Sequence, residues 1–458
     1  MRDPRPNPKA PTDVLVPVLV SVLVLVLVLV LLASVHTADA ASLSFHDAVA
    51  AAASGAPAVT LAQLRQGEAD ARIRQARAAF LPTLTGSAQM LDHTFNIVAQ
   101  GISFKLPGGA AFGPLIGPIG LVDARARVTQ TLFDASSWQR LRAARYGVQS
   151  ARVEVSATAE QAAQGAAVAY LRAARAEAVV HAREDDLALA QDLQKLADLQ
   201  LSAGTSPAID ATRARTQVSV QRGALVMAKN MRDRAHIDLA RALGQDTGAP
   251  IALADTLDAA LGSSDLPQDG ETAVKFALEH RLEFMQEEAK LAKAKAERSA
   301  TQAERLPRVD AEADWGQSGQ KWHDAIGTRQ FALSVTLPLF DGGRREGRLT
   351  EQDGVVRESS VRTKDLLDQV AGDVRAALLD LGSGLEQVTV AQERLQLAQA
   401  EVVQATDRFT SGVAGNIEVI EAQASLLRAR DAAIDARYAV ATARVSLARA
   451  AGVARLMH

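Results

Sequence analysis

The longest periodic pattern in the chain repeats every seven residues between Val374 and Phe409. One stripe consists of large apolar residues: Val374, Leu381, Val388, Leu395, Val402 and Phe409. A second stripe, three positions further on, consists only of small residues: Ala377, Gly384, Ala391, Ala398 and Ala405. This repeat predicts a coiled coil in which large side chains pack into shallow holes. Another long helix is predicted from Arg140 to Leu201, where it would extend about 90 Å.

Between the helical segments the pattern changes to strict alternation, which predicts β-strands. Apolar residues from Val309 to Trp315 alternate with Asp310, Glu312 and Asp314, and a similar segment runs from Phe331 to Leu339. Alternate residues of a strand point to opposite faces, so each strand has one apolar face. No other apolar element is available to cover these faces, which are therefore predicted to contact lipid while the polar faces line a wet lumen. An ordinary half-buried sheet is the alternative.

The chain contains the same pattern twice. Residues 48–82 align with residues 273–307 without gaps, at an offset of 225. Later matches have offsets of 207 or 208 and include Val128 with Val335, Gly204 with Gly412, and Asp210 with Glu418. A register held this far predicts an internal duplication. Each copy is expected to contain a helix of about 35 residues that ends at a Leu-Pro pair, two strands, a very long helix, a glycine-containing tip and a returning helix.

This duplication divides the chain into a first repeat at 41–261, a linker at 262–271 and a second repeat at 272–458. Residues 1–40 are predicted to be a signal peptide, because the apolar run Val14 to Leu32 follows basic residues and leads into Ala38-Asp39-Ala40. The alternative is that the run stays uncleaved as a membrane anchor.

Two strands per repeat give four per chain, whereas bacterial barrels need about eight or more to close. Open sheet edges cannot lie in hydrocarbon, because their unpaired backbone groups would have no hydrogen-bond partners. Several chains are therefore expected to share one barrel, and three chains would supply twelve strands.

Composition narrows the class of protein. The net charge of −3 gives no reason to expect a nucleic-acid partner, and 4% aromatic residues disfavour one large globular core. The absence of cysteine excludes disulfides, thiolate sites and an acylated N-terminal cysteine. No catalytic motif, cofactor-binding loop or metal-ligand spacing is found, so the sequence predicts neither an enzyme nor a resident cofactor.

The chain resembles the TolC-like outer membrane efflux protein family over nearly its whole predicted mature length. The segments that carry the resemblance are Ala79 to Leu84, Glu304 to Pro307, Leu337 to Arg344, Phe409 to Gly412 and Ile417 to Ala422. The resemblance implies a homotrimer with a twelve-stranded barrel in the outer-membrane lipid and a long α-helical barrel in the periplasm. It also implies a passive exit channel for tripartite efflux or type I secretion. The expected partners are a periplasmic adaptor (membrane fusion protein) and an inner-membrane pump of the RND or ABC type, which would select the cargo.

The resemblance also assigns roles at the two helix tips. The pore gate is expected to be an acidic ring of Glu418, Glu421 and Asp210, and adaptor docking is expected at Gly204, Thr205, Gly412 and Val413. Glu418 and Glu421 are three residues apart and therefore share one side of a helix, so threefold symmetry would form carboxylate rings that attract cations. Solvated acids at a helix start are the alternative.

Family members with a locked tip often carry an arginine where this chain has Ala414. An ion pair between the tips is therefore expected to be missing or to involve Arg213 or Arg215. The rival from another class of protein is an inner-membrane-anchored coiled-coil adaptor or scaffold that retains Val14 to Leu32.

Overall fold

The computed structural model describes residues 42–99, 101, 114–257 and 269–457. The predicted signal peptide lies outside these residues, as does most of the predicted linker at 262–271. The second repeat begins with a helix at Gly270, two residues before the predicted boundary.

The two repeats contain the same elements in the same order, which confirms the duplication. The first repeat consists of α1 (Phe45–Gly55), α2 (Pro57–Ala78), β1 (Thr83–Asn96), β2 (Leu115–Phe133), α3 (Ala135–Ser202) and α4 (Ala208–Leu243). The second consists of α5 (Gly270–His280), α6 (Leu282–Ala303), β3 (Arg308–Gly319), β4 (Ile326–Thr336), α7 (Arg344–Thr410) and α8 (Asn416–Ala451). None of the described helices has an apolar stretch of the length needed to cross a bilayer.

The prediction of one helix of about 35 residues at the start of each repeat is wrong, because each is broken in two. Ala56 separates α1 from α2 with extended backbone (ψ 141°), since the proline at position 57 disfavours helical geometry in the residue before it. Arg281 separates α5 from α6 (ψ 118°) without any proline. Its guanidinium turns inward and bonds to Glu283 and to Asp373 of α7.

The strands form one antiparallel sheet in the order β1-β2-β3-β4, with an apolar and a charged face. The apolar face is open in the protomer, where Trp315 and Phe331 are 76% and 79% exposed. On the opposite face Arg125 lies 3.2 Å from the buried carboxylate of Asp314. Two further pairs follow on that face: Arg127 with Glu312, and Arg308 with Asp310. The alternation therefore produces the two faces that the sequence predicted.

The long helices form two antiparallel hairpins, α3 with α4 and α7 with α8. α3 has 68 residues and therefore extends about 100 Å. The small-residue stripe of α7 is buried along its whole length, from Ala377 to Ala405, and a Cβ on Gly384 would lie 3.1 Å from Val440 of α8. The seven-residue pattern thus forms the predicted coiled-coil seam.

The largest apolar cluster surrounds Tyr170 of α3. The Tyr170 hydroxyl donates a hydrogen bond to the carbonyl oxygen of Leu43 (2.9 Å) and accepts one from the backbone N–H of Asp255 (3.1 Å). Val445 and Ala454 of the second repeat are buried in the same cluster. A second cluster lies nearer the tips and also contains residues of both repeats.

A layer of charges separates these two clusters along the seam between α3 and α8. The Arg183 guanidinium donates to both carboxylate oxygens of Asp431 (2.6 and 2.7 Å) and to Asp186 (2.9 Å). Arg430 also bonds to Asp186, whose side chain is only 6% exposed. A buried carboxylate shared by two arginines therefore ties the first repeat to the second.

Candidate gate at the helix tips

The two hairpins turn through the same backbone geometry. Gly204 and Gly412 both have φ +71°, in the left-handed region that favours glycine. The next residue in each tip donates its N–H back to the helix: Thr205 to Gln200 and Val413 to Arg408, both at 3.0 Å. This is the bonding pattern of a Schellman cap, which ends a helix by satisfying its last carbonyl groups. All four residues predicted for adaptor docking lie exposed on these two turns.

The acid of the first tip points into the protein. Asp210 is buried in the first turn of α4, where its carboxylate accepts a hydrogen bond from the Ser206 hydroxyl (3.0 Å). Arg213, one turn further along α4, lies 3.6 Å from the same carboxylate. Asp210 is therefore partly neutralised within its own hairpin.

The acids of the second tip are more accessible. Glu418 is about half exposed and accepts a hydrogen bond from the Arg408 guanidinium at the end of α7 (3.1 Å). Glu421 is exposed and has no ion pair or hydrogen bond with any residue that the structure describes. The second tip thus presents one paired and one unpaired carboxylate at its surface.

A buried asparagine joins the two tips. Asn416 begins α8, is fully buried, and donates its side-chain N–H to the backbone carbonyl of Asp210 (2.7 Å). Gln200 adds a weaker link to the carbonyl of Phe409 (3.3 Å). The polar part of the contact between the tips therefore consists of amide hydrogen bonds.

Arg213 and Arg215, which could have replaced the arginine missing at position 414, form their ion pairs within the first hairpin. Arg213 approaches Asp210 on its own helix, and Arg215 pairs with Asp198 of α3 (2.8 Å). Within the described protomer neither guanidinium reaches the second tip.

Sequence reasoning missed Asn416 and Arg408, although a signal was available. At the offset of 208, these positions correspond to Ala208 and Gln200 of the first repeat. The aligned tips differ in side-chain polarity at the first of these positions and in side-chain charge at the second. Such differences could have marked the residues that give each tip its own contacts.

The side chains that the second tip presents to solvent include the carboxylates of Glu418 and Glu421, which carry negative charge. No group of three or more His, Asp or Glu residues in the described part of the chain could hold a metal ion. Exposed carboxylates at the end of a narrow passage attract cations and hinder anions.

Comparison with known proteins identifies relatives across both repeats. The sequence profile of the family described as "Outer membrane efflux protein" matches residues 48–245 and 273–453. The pyoverdine export outer membrane protein OpmQ of Pseudomonas aeruginosa is 25% identical over 272 residues, which are 57% of this chain and 55% of OpmQ. The match thus spans little more than half of that relative. The outer membrane protein TolC of Escherichia coli is 22% identical over 401 residues, 82% of this chain and 76% of TolC.

Solved structures match over most of the chain. The transmembrane channel protein CusC superposes with a TM-score of 0.74 at 20% identity, covering 89% of this chain and 92% of CusC. The outer membrane channel CmeC of Campylobacter jejuni has a TM-score of 0.76 at 17% identity, covering 90% of this chain and 86% of CmeC. These structures share the fold, and the profile covers most of both repeats. The chain therefore belongs to the outer membrane efflux protein family.

Proposed function

We propose that the chain is one protomer of a passive exit channel, through which substrates leave across the periplasm and the outer membrane in tripartite efflux or type I secretion. Family membership places the chain in the outer membrane. It also favours the channel over the anchored adaptor that the sequence left open.

One observation carries the proposal. A sheet with an exposed apolar face and a charged opposite face continues directly into two helical hairpins, each of which contains a helix about 100 Å long. The sheet has the two faces that a membrane barrel needs, but among the described residues the outer edges of β1 and β4 have no neighbouring strand. Further copies of the chain would complete the barrel, and the hairpins would continue its lumen into the periplasm.

We propose that the gate lies at the tips, with Glu418 and Glu421 as its acidic ring. Their exposure on α8 would leave three copies of each carboxylate facing the narrow end of the passage. Asp210, assigned to the same ring from sequence, would instead act through its buried contacts with Ser206 and Arg213, which hold the first tip in place.

We propose that Gly204, Thr205, Gly412 and Val413 form the surface that receives a periplasmic adaptor. Channels of this family function as trimers together with adaptor and pump partners. The exposure of all four residues at the ends of the hairpins and the small size of the two glycines support close approach by a partner helix.

The test combines assembly with conductance. The protein purified in detergent should form trimers that resist dissociation in SDS, and it should open cation-selective pores in planar bilayers. A protein that stays monomeric and soluble without detergent would disprove the proposal. N-terminal sequencing adds an independent check, because a chain that starts at Ala41 has lost the apolar run that the anchored-adaptor alternative requires.

A further inference from the structure

The two β-hairpins of the chain have identical registers. Thr83 pairs with Thr129 in the first hairpin, and Arg308 pairs with Thr336 in the second. Adding 225 to the number of the β1 residue and 207 to the number of the β2 residue converts the first pair into the second. The same conversion holds for every pair from Thr83 to His93, so the hairpins are equivalent residue by residue.

The two hairpins meet where β2 pairs with β3, and this joint therefore has a counterpart between one copy of the chain and the next. Within the chain β2 pairs with β3, where Ala126 lies opposite Trp315. In a closed ring of hairpins, the strand equivalent to β2 is β4, and the strand equivalent to β3 is β1 of the next copy. Adding 207 to the number of Ala126 gives Leu333, and subtracting 225 from the number of Trp315 gives Met90.

We infer that neighbouring copies join β4 to β1 in the register of the β2–β3 joint, with Leu333 opposite Met90 of the next copy. The same conversion places Val335 opposite Ala88 and Phe331 opposite Asp92. The inference rests on the proposed channel assembly and specifies which residues form its subunit joint.

The end of β4 gives independent support. Residues 130–133 of β2 lie beyond the pairing with β1, which begins at Thr129, and three of them (Gln130, Thr131 and Phe133) pair with β3. Their counterparts are residues 337–340, which follow the end of β4 at Thr336 and belong to no strand in the protomer. Leu339 and Phe340 are both 88% exposed there. This segment lacks the one neighbour that keeps its counterpart in a strand, and β1 of the next copy would supply that neighbour.

The register also brings a carboxylate and a guanidinium together on the apolar face. Three of the four strand arginines (Arg125, Arg127 and Arg308) pair with carboxylates on the charged face. Arg329 shares the apolar face with Phe331 and has no carboxylate partner among the residues that the structure describes. Asp92 shares the apolar face of β1 with Met90. In the inferred joint Asp92 is the diagonal neighbour of Arg329, at a Cα separation of about 7–8 Å that an arginine side chain can bridge.

Engineered disulfides test the register, because the natural chain has no cysteine. The variant M90C/L333C should form disulfides between copies, since directly opposite residues have the Cα separation that a disulfide requires. After oxidation with copper phenanthroline and heating in SDS without reductant, most chains should run as covalent dimers and trimers. Added reductant should return them to single chains.

Three control pairs make the result specific. A88C/L333C and D92C/L333C move the partner by two residues on the same face, to a diagonal separation too long for a disulfide, and should cross-link at least about fivefold less. A126C/W315C is the equivalent pair inside the chain and should lose its free thiols without joining chains. A stronger cross-link in either shifted pair would overturn the register. The register would also be overturned if M90C/L333C formed no cross-links between copies in an intact trimer while A126C/W315C lost its free thiols under the same conditions. Monomers in detergent light scattering would instead overturn the channel assembly itself.

Charge reversal tests the ion pair. Asp92→Arg and Arg329→Asp should each lower the temperature at which the SDS-resistant trimer dissociates, and the double reversal should restore it. If the double variant dissociates at the temperature expected from the sum of the two single effects, the Arg329–Asp92 contact is excluded.

Discussion

The two repeats have nearly the same backbone but use different polar residues. Both tips turn at a glycine with φ +71°, and both β-hairpins have the same register. Examples at aligned positions are Ala58 against Glu283, Gln200 against Arg408, Ala208 against Asn416, and Asp210 against Glu418. Shared glycines and apolar stripes fix the backbone, because sterics and burial act in both copies alike. The polar residues have changed, so six similar hairpins in a trimer would have only threefold symmetry.

The seam between the two repeats should show the largest effect. Arg183→Gln leaves the buried Asp186 with one arginine fewer and removes the Arg183 partner of Asp431, at a cost of roughly 3–5 kcal/mol. Arg175→Gln is the matched control, because Arg175 pairs with Asp435 across the same two helices but is exposed, and should cost about 1 kcal/mol or less. Thermal unfolding followed by circular dichroism measures both. Equal losses would show that the buried layer holds the repeats together no more strongly than a surface ion pair.

The break between α5 and α6 should make one repeat sensitive to acid. Burial alone raises the pKa of Glu283, but hydrogen bonds from Arg281 and Arg449 outweigh it and lower the pKa to about 2, from an ordinary value of 4.5. A carboxyl whose pKa is lowered by folding stabilises the folded state above its unfolded pKa. That contribution is lost as the pH falls from about 4.5 to about 2.

Glu283→Gln should therefore lower thermal stability at pH 6 by roughly 1–3 kcal/mol, and the difference from the natural protein should vanish toward pH 2. Glu288→Gln, on the exposed side of the same helix, is the control and should change the stability at pH 6 only slightly. A difference for Glu283→Gln that stays constant from pH 6 to pH 2 would contradict the role of the ion pairs.

The hydrogen bond between the tips should hold the gate closed. Asn416→Ala leaves the Asp210 carbonyl without its side-chain donor, which costs about 1–3 kcal/mol in the closed arrangement. The open fraction of single channels in planar bilayers should rise roughly 5- to 150-fold. Val413→Ala, on the exposed turn of the same tip, serves as the control. An unchanged open fraction in the Asn416 variant would mean that this contact does not restrain opening.

The smallest effect is expected on selectivity. Glu418→Gln together with Glu421→Gln removes the exposed carboxylates of the second tip and should reduce cation over anion selectivity by roughly two- to tenfold, with the trimer intact. Asp210→Asn should change selectivity less, because that side chain is buried. Reversal potentials in a salt gradient measure both. If the Asp210 variant loses more selectivity than the double variant, the ring belongs to the first tip.

Much of the fold follows from local patterns. The coiled coil of α7 and α8 was predictable because a stripe of small residues admits only close helix packing. The alternation around Asp310 to Trp315 was sufficient to assign both faces of the sheet. No proline or glycine marks the break at Arg281 locally, although the offset of 225 aligns it with the break at Ala56 in the first repeat. It depends on Asp373 of α7 and on Glu283, which Arg449 of α8 also contacts.

The candidate gate was predictable only in part. The positions of Gly204 and Gly412 followed from the repeat, since a left-handed turn residue is a local requirement. The burial of Asp210 depends on the approach of Asn416 from the other tip, more than 200 residues along the chain. Periodicity contains no information about such a distant neighbour.

The sequence by itself determined the duplication, the hairpin tips, the two faces of the sheet and the family, because these depend on short-range sterics and on residue spacing. Only the tertiary structure decided which charges are buried and paired, as at Arg183 and Asp186, and which of the acids at the tips face solvent. Those properties depend on the packing of helices that are far apart in the chain, where a few ångströms decide whether a carboxylate meets an arginine or water.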